Sequence, residues 1–511
     1  MMESKNVKLS FNRVEGDLEI KVELDGNKVS KAQCVGTMYR GFEQIMQGRA
    51  AWDGLVITPR ICGICGTAHL YAAVTAIEVA QKAKIAPNGT NIRNICLITE
   101  EIQSDTRHTF LMFFPDICNE LYAKEKYYSL LMDNFEPFKG KIYKEAIENT
   151  KKILQIVAIF GGQWPHSSYM VPGGVTIPGI SRHVSQSIPI VDNYIKWYES
   201  SILGSSFERW MQIKTLEDLG VWFDESNEHR KSAVGLFTKF GRSIGLQKLG
   251  IGNCDLLSYG SYFQPELWQP PFTEAHCYRQ RGIFSRKENK VIPFKEENIS
   301  EHVKYSWFKE YSGGKHPFEG ETIPYYNADT PKYSWCKAPR YLDEPMEVGP
   351  LAQLVIAGDP LMNDIYAKEG SNVWSRQFAR LHRLVLSLTL LKKFLNDLLK
   401  NRYEPNILQN PEILDGEGIG LIEAARGALG HWVKFQNGKI SSYQIISPTT
   451  WNSSPRDSNE KPGHWEATLL GTEVRNIENP VELGLIVRSH DACLVCSVHV
   501  LNTSRKYIFQ T

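Results

Sequence analysis

The sequence predicts an α+β fold, mainly α, with a core of long bundled helices and β-strands and hairpins at the periphery. Three observations carry this. Apolar residues recur at helical spacing over several long stretches, most clearly over 373–400. Alternation of apolar and polar residues, with turn residues between, marks strands near both ends of the chain, at 18–24 and 432–446. A Cys-x-x-Cys pair stands on either side of the helical middle, Cys62/Cys65 and Cys493/Cys496, which suits a metal site built from facing elements of a bundle core.

Taken in order, Leu18, Ile20, Val22 and Leu24 alternate with polar residues and Asp25-Gly26-Asn27 turns the chain before Val29, so 7–35 reads as the start of a β-meander. Glu15 lies just ahead of it, in Arg13-Val14-Glu15-Gly16. Residues 37–57 carry Arg40-Gly41-Phe42-Glu43 and lead into the first cysteine pair. An Ala-rich helix is predicted from Leu70 to Lys84, ending before Pro87, and a second over 88–114, holding Gln103, Asp105 and His108. Residues 141–160 and 186–203 read as amphipathic helices, with Gly-Pro punctuation between them. From 205 to 350 the pattern breaks into short aromatic and Pro-rich pieces, and strands with ordered loops are expected there. The helix over 373–400 presents Leu384, Val385, Leu388, Leu391 and Leu395 on one face, with Lys392, Lys393 and Lys400 toward its C-terminal end. Trp432 to Ile446 is a hairpin turning at Asn437-Gly438. These pieces are expected to form one large domain, 1–511: a β part (1–60), a helical part (61–205), an aromatic-rich mixed segment (205–350) and a helix with the second cysteine pair (351–499), followed by a tail (500–511).

Charge is balanced at a formal +1 over 511 residues, with no basic stripe, which argues against nucleic acid as the main partner. The ten cysteines are the two pairs plus six scattered singly, unlike the dense framework of a small secreted domain, so they are expected to be reduced and mostly buried. Residues 1–13 show no apolar run like a signal peptide, and no window offers 18 uninterrupted apolar residues.

The two pairs are the chemistry-bearing feature. Arg60-Ile61-Cys62-Gly63-Ile64-Cys65 runs on to His69, and Asp491-Ala492-Cys493-Leu494-Val495-Cys496 to His499. Four thiolates suit a soft metal where the chain ends meet. Spacing alone leaves three readings open: a structural zinc site, a redox-active metal, and unrelated buried cysteines. Structural zinc sites usually draw their ligands from a compact local module, whereas these pairs span the whole chain.

The paired motifs, together with Arg13-Val14-Glu15-Gly16, Arg40-Gly41-Phe42-Glu43, Glu423-Ala424-Ala425-Arg426-Gly427 and Pro448-Thr449-Thr450-Trp451-Asn452, resemble in order the signatures of the large, catalytic subunit of [NiFe] hydrogenases. Details around Asp491 look more like the uptake and high-affinity cytoplasm-facing branches. The resemblance implies that family's fold and a nickel ion held by Cys62, Cys65, Cys493 and Cys496. Cys65 and Cys496 would bridge to an iron carrying carbon monoxide and cyanide, and the reaction would be heterolytic, reversible oxidation of H2. It also implies that Arg426 overhangs the metal and bonds a cyanide, with Asp105 pairing with Arg426 to hold it. Thr449 would bond the other cyanide, and His69 would donate to a bridging sulfur. Ala425, where many relatives have proline, would pack beside a cyanide. Glu15 would take the proton from Cys493, and Glu43 and His499 would hold a magnesium ion. Ala492 is a further departure from a proline usual in the family.

The implied partner is a small subunit carrying the iron–sulfur clusters, because this chain has no cysteine grouping left to bind them. A maturation protease and nickel-insertion proteins are implied as well, with the tail cut after His499. The expected location is cytoplasmic, or at a membrane through the partner, with export on a signal carried by the partner as the alternative. The alternatives are an H2-sensing regulatory hydrogenase and a non-enzymatic scaffold, either zinc-stapled or related to a respiratory-complex subunit that lacks the cysteines.

Overall fold

The helix with the clearest periodicity is the spine of the structure. In the computed structural model, which describes residues 5–272, 276–408 and 412–497, Val373–Lys400 is a single 28-residue helix. It starts at a reciprocal cap: the Asn372 side chain accepts the Ser375 N–H and the Ser375 hydroxyl accepts the Asn372 N–H. Pro87–Arg107 and Ile180–Trp197 pack along it, and Lys141–Gly161 packs against both of these, which makes the bundle. A π-helical turn, His108–Phe113, prolongs the Pro87–Arg107 helix, so the predicted extent of 88–114 is met without a break. The spine's buried face is not only leucine. Arg376, Arg380 and Arg383 fall at i, i+4 and i+7 and are buried too.

The predicted meander is Lys5–Phe11, Leu18–Asp25 and Lys28–Gly36, paired antiparallel in that order. The predicted hairpin is Gly427–Gln436 with Lys439–Ile446, turning through Asn437 at φ 52°. A third strand, Gly416–Ala424, pairs on its other side. The cysteine-proximal helix, Gly66–Gln81, lies directly on that third strand. Contact is close because Gly418 and Gly420 face the helix: a Cβ on either would come within 1.9 Å of the Ala76 or Ala72 carbonyl oxygen.

The mixed segment differs from its expectation in its first forty residues. There the chain forms four helices, Phe207–Trp210, Leu216–Glu225, Asn227–Lys231 and Ala233–Ser243. Each is started by a Ser or Thr side chain accepting a backbone N–H of the first turn, at Ser206, Thr215, Ser226 and Ser232. The aromatic residues that suggested strands, Trp210, Trp222, Phe237 and Phe240, are instead buried along those helices. From Asp255 onward short strands appear as expected. One small sheet runs Lys290–Ile292, Gly282–Ser285, Asp255–Ser258, Met346–Glu347, the last pairing parallel.

The two ends of the chain meet beside the bundle. Glu15 donates its N–H to the Ala492 carbonyl (3.1 Å) and accepts the Leu494 N–H (2.7 Å), bracketing Cys493. Gly16, at φ +85°, is required there, because a Cβ would meet the Val495 nitrogen at 2.9 Å.

Gly420→Ala is expected to overpack the helix–strand contact and cost about 1–3 kcal/mol. Thermal unfolding of the purified protein should show a lower midpoint, and an unchanged midpoint would contradict the close-approach argument.

Candidate metal centre

The first pair is delivered by a turn and a helix start. Cys62 follows the 3-10 turn Thr58–Ile61, and Cys65 directly precedes Gly66–Gln81. The Glu100 carboxylate caps that helix by accepting the Thr67 and Ala68 N–H groups at 3.0 and 3.2 Å. Burial pushes the Glu100 carboxyl up to about 7. In the second pair, Cys493 lies in the strand-like contact with Glu15, and Cys496 in the short helix Leu494–Ser497. Arg40 ties both segments together, donating to the carbonyls of Arg60 (2.9 Å), Ile61 (2.5 Å) and Val495 (3.3 Å).

All four sulfurs are buried and lie within 4.8 Å of one another. Cys62 and Cys493 are 3.5 Å apart, Cys65 and Cys496 3.2 Å, and Cys493 and Cys496 2.9 Å. These spans exceed the roughly 2.05 Å of a disulfide and suit sulfurs about 2.3 Å from a shared ion. Burial raises the Cys493 and Cys496 thiols, and hydrogen bonds from the neighbouring thiols raise Cys65. At Cys62 the neighbouring thiols and Arg426 outweigh burial and favour the thiolate.

Cys65, Cys493 and Cys496 line a cavity with His69, Ala424, Arg426, Leu429, Pro448 and Thr449. Arg426 reaches it from the turn between Gly416–Ala424 and Gly427–Gln436. Its Nε lies 3.1 Å from the Asp491 carbonyl and 3.0 Å from Asp491 Oδ1. Its Nη1 is buried with no hydrogen-bond partner. Burial would weaken the guanidinium, but Asp491 first, and the Cys62 thiolate with it, hold it protonated. The Thr449 hydroxyl accepts the Cys493 N–H at 3.0 Å.

Two expected contacts are corrected. Asp105 does not hold Arg426; both of its oxygens go to Arg383, at 2.6 and 2.9 Å, and Asp491 takes the place beside Arg426. Arg383 extends from the spine to Asp105, to Gln353 and to the carbonyl of Ala425 (2.7 Å), so it fixes the loop that aims Arg426. His69 does not donate to a sulfur among the described residues. Its Nδ1 lies 3.0 Å from His431 Nε2, and its buried Nε2 has no partner. Ala425 contributes that carbonyl, while Ala424 supplies the cavity wall.

Glu15 is half-buried. Burial first, and then the Cys62 charge, raise its carboxyl above the usual range. Glu43 is buried and accepts the Ile445 N–H at 2.9 Å and the Thr322 hydroxyl. Lys337 stands 3.4 Å from it and 3.1 Å from Glu301. His499 lies outside the described residues. Asp491, Arg383, His431 and Lys337 were missed in the sequence. Asp491 sat inside a quoted motif, and the Arg380/Arg383 spacing on an apolar helix face was the available signal for a buried ionic layer.

The nickel-dependent hydrogenase family model matches residues 40–125 and 116–499. The periplasmic [NiFeSe] hydrogenase large subunit of Desulfomicrobium baculatum is 32% identical, over 97% of this chain and 95% of its own. The uptake hydrogenase large subunit of Rhizobium leguminosarum bv. viciae is 28% identical, over 96% and 94%. The solved [NiFeSe] hydrogenase of D. vulgaris Hildenborough superposes with a TM-score of 0.81 at 28% identity, covering 97% of this chain and all of that one.

Asp105→Ala is expected to strand the buried Arg383 charge and cost about 3–5 kcal/mol of stability. Asp491→Asn removes the charge beside the buried Arg426 and should also lower the midpoint, but the folded variant should lose more turnover than Asp105→Ala does. Midpoints and turnover measured on both variants check this; the opposite assignment would restore Asp105 as the partner of Arg426.

Proposed function

The chain belongs to the nickel-dependent hydrogenase family, and from that premise we propose the residue roles by which it works. It is the large, catalytic subunit of a [NiFe] hydrogenase, an oxidoreductase that oxidises H2, partnered by a small subunit. The observation that carries the reading is the cage of four buried thiols opening on a cavity overhung by a charged arginine. The fit to a nickel–iron centre rests on the donor set and on two buried polar atoms without partners, Arg426 Nη1 and His69 Nε2.

Cys62, Cys65, Cys493 and Cys496 would hold the nickel–iron centre between them. When bound, this centre supplies the redox-active, Lewis-acidic site at which H2 is split heterolytically. Arg426 acts as a fixed hydrogen-bond donor. Asp491 holds Nε, leaving Nη1 toward the cavity, and a guanidinium kept protonated is a poor base. It would therefore polarise H2 and offer a hydrogen bond to a ligand of the centre, with His69 Nε2 as a second donor. Thr449 positions Cys493 by accepting its N–H, and its own hydroxyl proton remains for another such ligand.

Glu15 takes the proton from Cys493 Sγ. Its backbone brackets Cys493 on both sides, and its raised carboxyl accepts a proton readily. Glu43 and His499 would hold magnesium; Glu43 lies beside Thr322, Gln444 and Glu301, with the Lys337 ammonium among the same oxygens.

Electrons leave to iron–sulfur clusters of the small subunit. Ile45, Trp52 and Val56 are exposed on the segment leading to Cys62 and supply an apolar face for that subunit. Nickel-insertion proteins load the cage and a protease removes residues 500–511. No helix among the described residues is long and apolar enough to cross a membrane, and we place the protein in the cytoplasm or at a membrane through its partner.

With the heterodimer and an artificial electron acceptor, Glu15→Gln is expected to keep nickel and iron while losing turnover on the order of 10²-fold or more. The base must be deprotonated to act, so wild-type H2 oxidation should rise as pH rises through the elevated Glu15 pKa, and that limb should vanish in the variant. Full turnover in Glu15→Gln would overturn the role of Glu15.

A further inference from the structure

Three buried side chains outside the cysteine cage converge on one point. Glu347 ends the short strand Met346–Glu347, His464 begins the helix His464–Leu469, and His490 follows the helix Val481–Ser489. One ligand atom from each lies within 4.8 Å of the others. His490 Nε2 is 3.0 Å from His464 Nε2, and His464 Nε2 is 3.4 Å from Glu347 Oε2. Donors about 2.1 Å from a shared ion stand roughly 3.0–3.5 Å apart.

The outer contacts orient the donors inward. His490 Nδ1 lies 3.0 Å from the Ile486 carbonyl and donates to it, so Nε2 presents its lone pair. Glu347 Oε1 receives both Arg376 Nε (2.7 Å) and the Ser371 hydroxyl (2.6 Å). Its Oε2 is buried and receives no hydrogen bond. His464 Nδ1 has no partner, so nothing fixes the tautomer that would occupy Nε2 with a proton. A plain hydrogen-bond chain can satisfy the two imidazoles against each other but leaves Oε2 bare, at about 1–3 kcal/mol. An ion satisfies all three atoms together.

We propose that Glu347, His464 and His490 bind a divalent transition-metal ion of the zinc class, at a site separate from the cysteine cage. Two imidazoles and a carboxylate are the donor set of zinc and its neighbours. Burial keeps both imidazoles neutral, as ligation requires: His464 is pushed down to about 4 and His490 well below the usual range. Burial would raise the Glu347 carboxyl, but the Arg376 guanidinium and the Ser371 hydroxyl on Oε1 hold it ionised, down to about 2. The ion would join the small sheet to the segment that delivers the second cysteine pair, because His490 stands three residues before Cys493. Its role is to anchor that segment.

The test uses the wild-type heterodimer and the His464→Gln and His490→Phe variants, each incubated with zinc sulfate and desalted. Elemental analysis and X-ray absorption at the zinc edge are then recorded. The expected result is about one zinc per large subunit in the wild type, with imidazole and oxygen neighbours and no sulfur. Zinc should fall at least tenfold in either variant, while nickel is retained. Absence of stoichiometric zinc in the wild type, or zinc with a sulfur shell, overturns the site. The wild-type spectrum decides this even if a variant fails to fold. Nickel content in the same samples reports on the cysteine cage separately.

Discussion

Everything in this fold is arranged around the convergence of four buried thiols on one point. Cys62 and Cys65 come from one end of the chain and Cys493 and Cys496 from the other, so the cage exists only where the ends are brought together. The protein does this with backbone as much as with side chains. Glu15 pairs across Cys493, Gly16 lets the strands touch, and Arg40 binds carbonyls on both cysteine segments. The bundle behind them provides the rigidity: one cysteine pair leads into a helix laid on a glycine-lined strand, and that strand and its neighbour carry Arg426 in the turn between them.

The second constraint is charge. Arg376, Arg380 and Arg383 come off one face of the spine helix into the interior. Arg383 meets Asp105, and Arg376 meets Glu347. Arg380 donates to the Ser489 carbonyl and stays weaker than usual because burial opposes its charge. Paired in this way, the charges fix directions at little net gain in stability, as expected for buried ion pairs. What they fix is the Ala425 carbonyl and the loop holding Arg426 on one side, and the segment approaching Cys493 on the other.

Much of this was legible in the residues. Period and punctuation located the spine at 373–400, the meander, and the hairpin at Asn437-Gly438, because those elements bury a regular stripe or need a specific turn. The two matched spacings suggested a shared metal site, and the ordered motifs between them set aside zinc and unrelated cysteines. The helices over 207–243 were missed because they are short and aromatic, and their signal lies in single Ser and Thr caps rather than in a long period. The partner of Arg426 was missed for a different reason. Asp105 and Asp491 are both plausible carboxylates in sequence, and which of them meets Arg426 is decided by Arg383, which claims Asp105 from a helix almost three hundred residues away. The convergence of Glu347, His464 and His490 is likewise a product of tertiary packing, with no local spacing to announce it.

Infrared spectroscopy of the nickel-loaded heterodimer tests the central claim most directly. If the four thiols hold nickel and share it through Cys65 and Cys496 with an iron bearing carbon monoxide and cyanide, the wild type must show the bands of those iron-bound ligands. The bands must be lost when Cys65 or Cys496 is replaced by alanine. An active, nickel-replete enzyme without such bands, or bands that persist unchanged in both variants, would contradict the account.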